Sequence, residues 1–192
     1  VDLPGAFSLK GGGILENLTD SLTRSGTIGL DMVTRNLNFL TGLTGVTPDG
    51  SLVIPDSMSL KMKMEMNGPQ YKAKLDLKEG KGSMNVNAAL NSSTEVYTAD
   101  LKINDLQLHH FLPKDSIYEL SLSADAKGRG LDVMSFHSLA NLNLSLDQLH
   151  YARYHLSNVH LTGNLKGALA TAQLTSDNEL LKMTADAEYN LA

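Results

Sequence analysis

Cysteine and tryptophan are both absent from this chain. The first absence excludes disulfide frameworks, thiolate metal sites and cysteine nucleophiles. It chooses no compartment, because cytosolic and bacterial envelope proteins both include cysteine-free chains. The second excludes a sandwich knit around a buried Trp. Aromatics make up only 5% of the 192 residues, so Leu, Met and Ala must supply most of the apolar surface. No apolar run approaches the roughly 20 residues that a membrane helix needs. No basic block occurs and the net charge is -5, which argues against a nucleic-acid partner. The opening "VDLPGAFSLKGGG" lacks an initiator Met, a basic n-region and a hydrophobic h-region. With the abrupt end at "AEYNLA", this points to a section of a longer protein, with any anchor or signal outside it.

What is present is alternation. With 42% hydrophobic and 19% charged residues the composition is globular. From Met58 to Met66 every second residue is apolar: Met58, Leu60, Met62, Met64 and Met66, with Ser59, Lys61, Lys63 and Glu65 between. A two-residue period is a strand with one oily and one wet face. After the turn "NGPQ" the pattern returns in Tyr71, Ala73, Leu75 and Leu77, and after "EGKG" in Met84, Val86, Ala88 and Leu90. Beyond "NSST" it resumes at Ala99, Leu101 and Ile103, then slips near Asn104-Asp105, as at a β-bulge, and continues at Leu106 and Leu108. Leu120, Leu122, Ala124 and Ala126 precede the turn "KGRG". Leu142, Leu144 and Leu146 follow, and Leu149 and Tyr151 resume the face after a second slip. "ARY" is read as a tight reversal into Tyr154, Leu156, Val159, Leu161 and Leu165. The last strands carry Ala168, Ala170, Ala172 and Leu174, then Met183, Ala185, Ala187, Tyr189 and Leu191.

Strands in close succession with short turns predict an antiparallel meander. Their wet faces are too polar for a sheet covered on both sides. The expected fold is therefore all-β: long amphipathic strands curled into a groove or half-barrel with an apolar interior. The N-terminal part, 1–45, reads as less regular, with the meander over 51–192. "ILENLTDSL" spaces Ile14, Leu15, Leu18 and Leu22 like a helical face. "TIGLDM" reads as a short strand. Short helices are also predicted at "TRNLNFLTGLTG" and "DVMSFHSLA", three in all.

Chemistry is sparse. His150, His155 and His160 are evenly spaced, and alternation turns each to the wet face. Imidazoles bind zinc, but no carboxylate accompanies them and no ligand spacing is met, so surface histidine is the plainer reading and no metal is assigned. His109 and His110, read as neighbours on a strand, would face opposite ways. Gly-x-Ser-x-Gly is absent, and neither "GKGSM" nor "KGRGLD" is a phosphate loop. The chain is expected to be neither an enzyme nor a cofactor binder. The methionines are more telling. Met58, Met62, Met64, Met66, Met84 and Met183 all fall on oily faces. Met adapts to irregular space and specifies a core poorly. Such a face suits variable acyl chains, against the simpler alternative of a Met-rich core.

The segment "VYTADLKINDLQLHHFLPKDSIYELSLSADAKGRGLD" (96–132) resembles the TamB / AsmA-like family of the bacterial envelope, in its Bacteroidota-type form, through "FLPKDSI", the alternating strand after it and the turn "GRGLD". "NLNFLTGL", "VIPDSMSLKMKMEMNG" and the tail from "LDQLHYARYHL" onward share its style, so the likeness covers about 25–192. The resemblance implies a section of a periplasm-spanning, inner-membrane-anchored β-groove. Such proteins are thought to carry phospholipid between the two membranes, or to help outer-membrane proteins assemble with a BamA-type barrel. The implied partners are phospholipid acyl chains here and the barrel elsewhere in the full protein. The expected groove lining is Met58, Leu60, Met62, Met64, Met66, Tyr71, Ala73, Leu75, Leu77, Met84, Val86, Ala88, Leu90, Leu101, Ile103, Leu120, Leu122, Leu142, Leu144, Leu146, Leu161, Leu165, Met183 and Tyr189. Two other readings compete. One is a scaffold whose sheet edges pair with client strands. The other is a structural or adhesion module with a closed core.

Overall fold

In the computed structural model, which describes residues 1–36 and 53–191, the chain forms one antiparallel sheet. Its strands are β1 (Asp2–Leu3), β2 (Phe7–Glu16), β3 (Ser25–Thr34), β4 (Met58–Asn67), β5 (Gln70–Glu79), β6 (Gly82–Asn91) and β7 (Val96–Gln107). They continue as β8 (Ile117–Arg129), β9 (Leu139–Tyr151), β10 (Tyr154–Leu156), β11 (Val159–Lys166), β12 (Leu169–Asp177) and β13 (Lys182–Asn190). Each pairs with the next in sequence, except that β10 and β11 both lie against β9. The order is that of a meander, and the sheet does not close into a barrel.

The two sides of the sheet are chemically opposite. On the wet side Lys10, Asp31, Lys61 and Asp76 stand in one cross-strand row of alternating charge. Asn85 extends it by donating to Asp76 Oδ1 at 2.6 Å. Glu65 stands opposite Lys72. The Lys63 ammonium, 2.5 Å from Glu65 along the same strand, holds that carboxyl below its ordinary value. A one-residue slip would turn these charges inward, so both faces specify the register.

Tight turns join the strands. Gly68-Pro69 links β4 to β5, and Gly68 has φ +54, a left-handed conformation that suits glycine. The predicted slip at Asn104-Asp105 is a true bulge: pairing of β7 with β8 skips between Ile103 and Leu106. Asp105 has φ +46; its N–H donates to Ser121 Oγ at 2.8 Å, and the Ser121 hydroxyl donates to Asp105 Oδ1 at 3.2 Å. The second slip lies at Asp147, where Leu122 pairs with Leu146 and Ser121 with Gln148. "ARY" is the reversal from β9 to β10, with Ala152 at φ +51.

The N-terminal part departs from expectation. Residues 7–16 are a strand, not a helix, and the chain turns from Asn17 to Arg24. Gly11 and Gly13 occupy oily-side positions between Leu9 and Leu15, so the alternation is present but two of its side chains are missing. "TIGLDM" lies within β3, as expected, and β3 is longer. "DVMSFHSLA" is a turn that leads into β9. It is held by Asp132, whose Oδ1 accepts from Met134 N–H and whose carbonyl accepts from Ser138. Of the helix expected over 34–45, Thr34 ends β3 and 37–45 lie outside the described residues. "KGRG" turns only at Gly130, since β8 runs through Arg129. The helical element among the described residues is a 3-10 turn, Leu108–His110, so Leu108 does not continue β7. His109 and His110 are not strand neighbours; their rings meet edge to face at 4.1 Å.

Candidate functional site

The oily side is built of cross-strand rows that run perpendicular to the strands. One row joins Met32, Leu60, Leu77, Met84, Ile103, Leu122 and Leu146 and ends at Met183. The next contains Leu30, Met62, Leu75, Val86, Leu101, Ala124, Leu144 and Leu161. A third contains Ile28, Met64, Ala73, Ala88, Ala99, Ala126 and Leu142. A fourth contains Leu15, Gly26, Met66, Tyr71, Leu90, Tyr97 and Gly128, then Leu165 and Tyr189 further on. Every residue expected to line a groove lies on this one side.

The two rims of that side differ. At the rim where β4, β6 and β8 begin, Met58, Leu77, Ile103 and Leu106 form a dry cluster. Leu60, Leu75, Met84, Leu101, Leu120 and Leu122 pack around it, and Leu108 and Phe111 cover it from the 3-10 turn and the residue after it. Glu79 stands in the same row as Met58 and is buried. His110 Nδ1 lies 2.7 Å from Glu79 Oε1, while Oε2 has no partner among the described residues. Thr34 also fastens this rim: its hydroxyl donates to the Pro55 carbonyl at 2.7 Å and accepts from the Met58 N–H at 3.0 Å.

The opposite rim is open. Here the third row is small: Ala73, Ala88 and Ala99 form a floor across β5, β6 and β7, continued by Ala126 on β8. Taller side chains, Met66, Tyr71, Leu90 and Tyr97, form one wall. The result is a trough of about 430 Å³ with an almost wholly apolar lining, reached by Leu15, Ile28, Met64 and Leu131. The contrast within β4 is decisive: Met58 is 5% exposed and Met64 is 45% exposed, although both face the oily side. The floor from Ile28 to Ala99 crosses four inter-strand gaps, roughly 19 Å at about 4.8 Å each. At one end Gly128 gives room to Tyr97, since a Cβ there would meet the Tyr97 ring. The chain matches no family model, no curated protein and no solved structure.

Of the expected lining, the trough gathers Met64, Met66, Tyr71, Ala73, Ala88 and Leu90. Met58, Leu77 and Ile103 belong instead to the dry cluster. They pack with Phe111 and fill that rim among the described residues. Leu142, Leu144, Leu146, Leu161 and Leu165 continue the oily side over β9 and β11, away from the trough. Met183 and Tyr189 lie on β13, which pairs only with β12 among the described residues, and are 37% and 69% exposed. Leu15, Ile28, Tyr97, Ala99 and Leu131 were missing from the expected lining. For Leu15 and Ile28 the glycines hid the strand period. Ala99 lay on the visible alternation, in register with Ala88 of the expected lining.

Four histidines meet through Tyr118, whose ring lies 5.6 Å from that of His109, the neighbour of His110, and 4.8 Å from that of His150, while His160 stands apart. His150 and His155 stand opposite each other on the wet side with rings stacked at 4.1 Å, whereas His160 contacts Ser145 at 3.0 Å further along. Among the described residues no group of three His, Cys, Asp or Glu side chains is placed to hold a metal ion, and no helix is long and apolar enough to cross a membrane.

Proposed function

We propose that this chain is a section of a TamB / AsmA-like apolar groove that binds phospholipid and, in the full envelope protein, conducts it between inner and outer membrane. The observation that supports the reading is the alanine-floored trough: an oily surface kept open on a sheet whose other rim is sealed. A module that needed only a core would fill this rim as it fills the first. Here small residues stand where large ones would close the space. Sheltering acyl chains from water gains about 0.8 kcal/mol per CH₂, so the work is solvation, with no covalent step.

A photo-crosslinking residue in place of Met64, used in cells, is expected to capture lipid, and phospholipid is expected to co-purify with the wild-type chain. If neither occurs, the lipid reading is wrong. Crosslinks from Met64 to nascent outer-membrane proteins would favour a scaffold role beside a BamA-type barrel. Among the described residues β13 pairs only with β12, and β2 meets β1 over two residues, and these edges give that alternative its own footing.

A further inference from the structure

We propose that Arg24, stacked on Tyr71, anchors the phosphate of a lipid headgroup at the rim of the trough. The trough then holds one lipid in a fixed position, which an oily surface alone would not do. This rests on the lipid reading above and adds the polar end of the ligand. Arg24 immediately precedes β3 and has the same strand phase as Gly26 and Ile28, so it belongs to the oily side, one step beyond the outermost row. Its guanidinium carbon lies 5.1 Å from the centre of the Tyr71 ring, and Tyr71 is a wall of the trough. Its Nε donates to the Gly68 carbonyl at 3.2 Å, which fixes the plane of the group. The side chain is thus held at two points beside an apolar cavity.

Its charge is unanswered. Among the described residues Arg24 makes no ion pair, and the hydrogen bond of its side chain is the one from Nε. The nearby carboxylate of Asp20 is engaged elsewhere, accepting from Leu22 N–H at 2.9 Å and from the Thr23 hydroxyl at 2.7 Å. A half-buried guanidinium with a free N–H fork matches the oxygens of a phosphate, which it can meet with two parallel bonds. The apolar trough beside it matches a hydrocarbon tail. An amphiphile with an anionic phosphate satisfies both at once, and a neutral lipid or a free anion satisfies only one.

The test uses the whole chain and three probes: vesicles of phosphatidylglycerol, dioleoylglycerol with the same tails but no phosphate, and inorganic phosphate. Retained lipid is counted by native mass spectrometry, and phosphate binding is followed by calorimetry. The wild-type chain is expected to retain phosphatidylglycerol at least about tenfold over dioleoylglycerol, and to bind inorganic phosphate far more weakly. Arg24→Gln should bring the lipid preference to within about twofold and leave dioleoylglycerol retention unchanged. Arg24→Lys keeps the charge without the planar stack and should fall between; it also carries the test if Arg24→Gln does not fold. Equal retention of both lipids by the wild-type chain, or an undiminished preference in Arg24→Gln, overturns the anchor and leaves the trough intact. Inorganic phosphate binding as tightly as the phospholipid would make this a free-anion site and also overturn it. Failure of the wild-type chain to retain either lipid would remove the lipid reading and the anchor together.

Discussion

Residues of one type behave oppositely according to the row they occupy. Leu106, 4% exposed in the dry cluster, has no room to lose. Leu106→Ala is expected to cost about 2–5 kcal/mol in denaturant unfolding. Ala88, on the floor of the trough, has space above it. Ala88→Phe should leave the thermal midpoint within about 3 °C of wild type, yet cut co-purified lipid at least about tenfold, because the ring would occupy the acyl path. A large loss of stability in Ala88→Phe would mean that the trough is a core after all. His110 supports the sealed rim: His110→Ala strips the buried Glu79 carboxyl of its partner and should destabilise by about 1–3 kcal/mol. Glu79→Gln made on top of it should recover part of that loss. These roles were only partly legible in the sequence. Alternation placed Met58 and Met64 on the same side, but it carries no record of which rim the chain folds back upon. That depends on Phe111 and the 3-10 turn, whose short apolar-His-His run looks like the end of a strand.

At the scale of the element, turns and bulges decide the geometry. The β7 bulge depends on Ser121, which braces a left-handed Asp105 from the neighbouring strand. Ser121→Ala removes that brace and should cost about 1–3 kcal/mol in unfolding. Hydrogen exchange would show whether the loss is local to β7 and β8. The sequence revealed this bulge as a slip in the alternation, since one added residue moves every later side chain to the other face. It did not reveal β2, because Gly11 and Gly13 remove the side chains that mark a strand, and Ile14, Leu15, Leu18 and Leu22 then imitate a helical stripe. The turn after β2 has its own pH dependence. Leu22 N–H, then the Thr23 hydroxyl, hold the Asp20 carboxyl below its ordinary value. Because the folded value is depressed, this contribution is fully present above the unfolded value near 3.8 and is lost as pH falls through the folded value. Asp20→Asn should therefore flatten the decline in stability below about pH 4, followed by thermal melts in matched ionic strength.

At the scale of the whole molecule, a single sheet with one sealed rim should not be uniformly stable. Amide exchange is expected to be slowest where β5 to β8 meet the dry cluster and fastest along β13 and the outer half of β2, which have fewer partners. Uniform protection across the sheet would point to a closed core instead. The meander itself was legible from the spacing of turns, and the polar wet faces marked a sheet that is not covered on both sides. The path of the trough was not, because it runs across strands, and residues from the six strands β2 to β7 and Leu131 meet only when register is known. One further property follows from the order of the sheet. Among the described residues every strand from β2 to β8 pairs only with its sequence neighbours, so a hairpin inserted or deleted at a turn there shifts the rest along one axis and leaves the cross-section alone. Each such pair of strands changes the length by roughly 10 Å. The gene thus holds a ruler graduated in hairpins, by which span can evolve independently of bore.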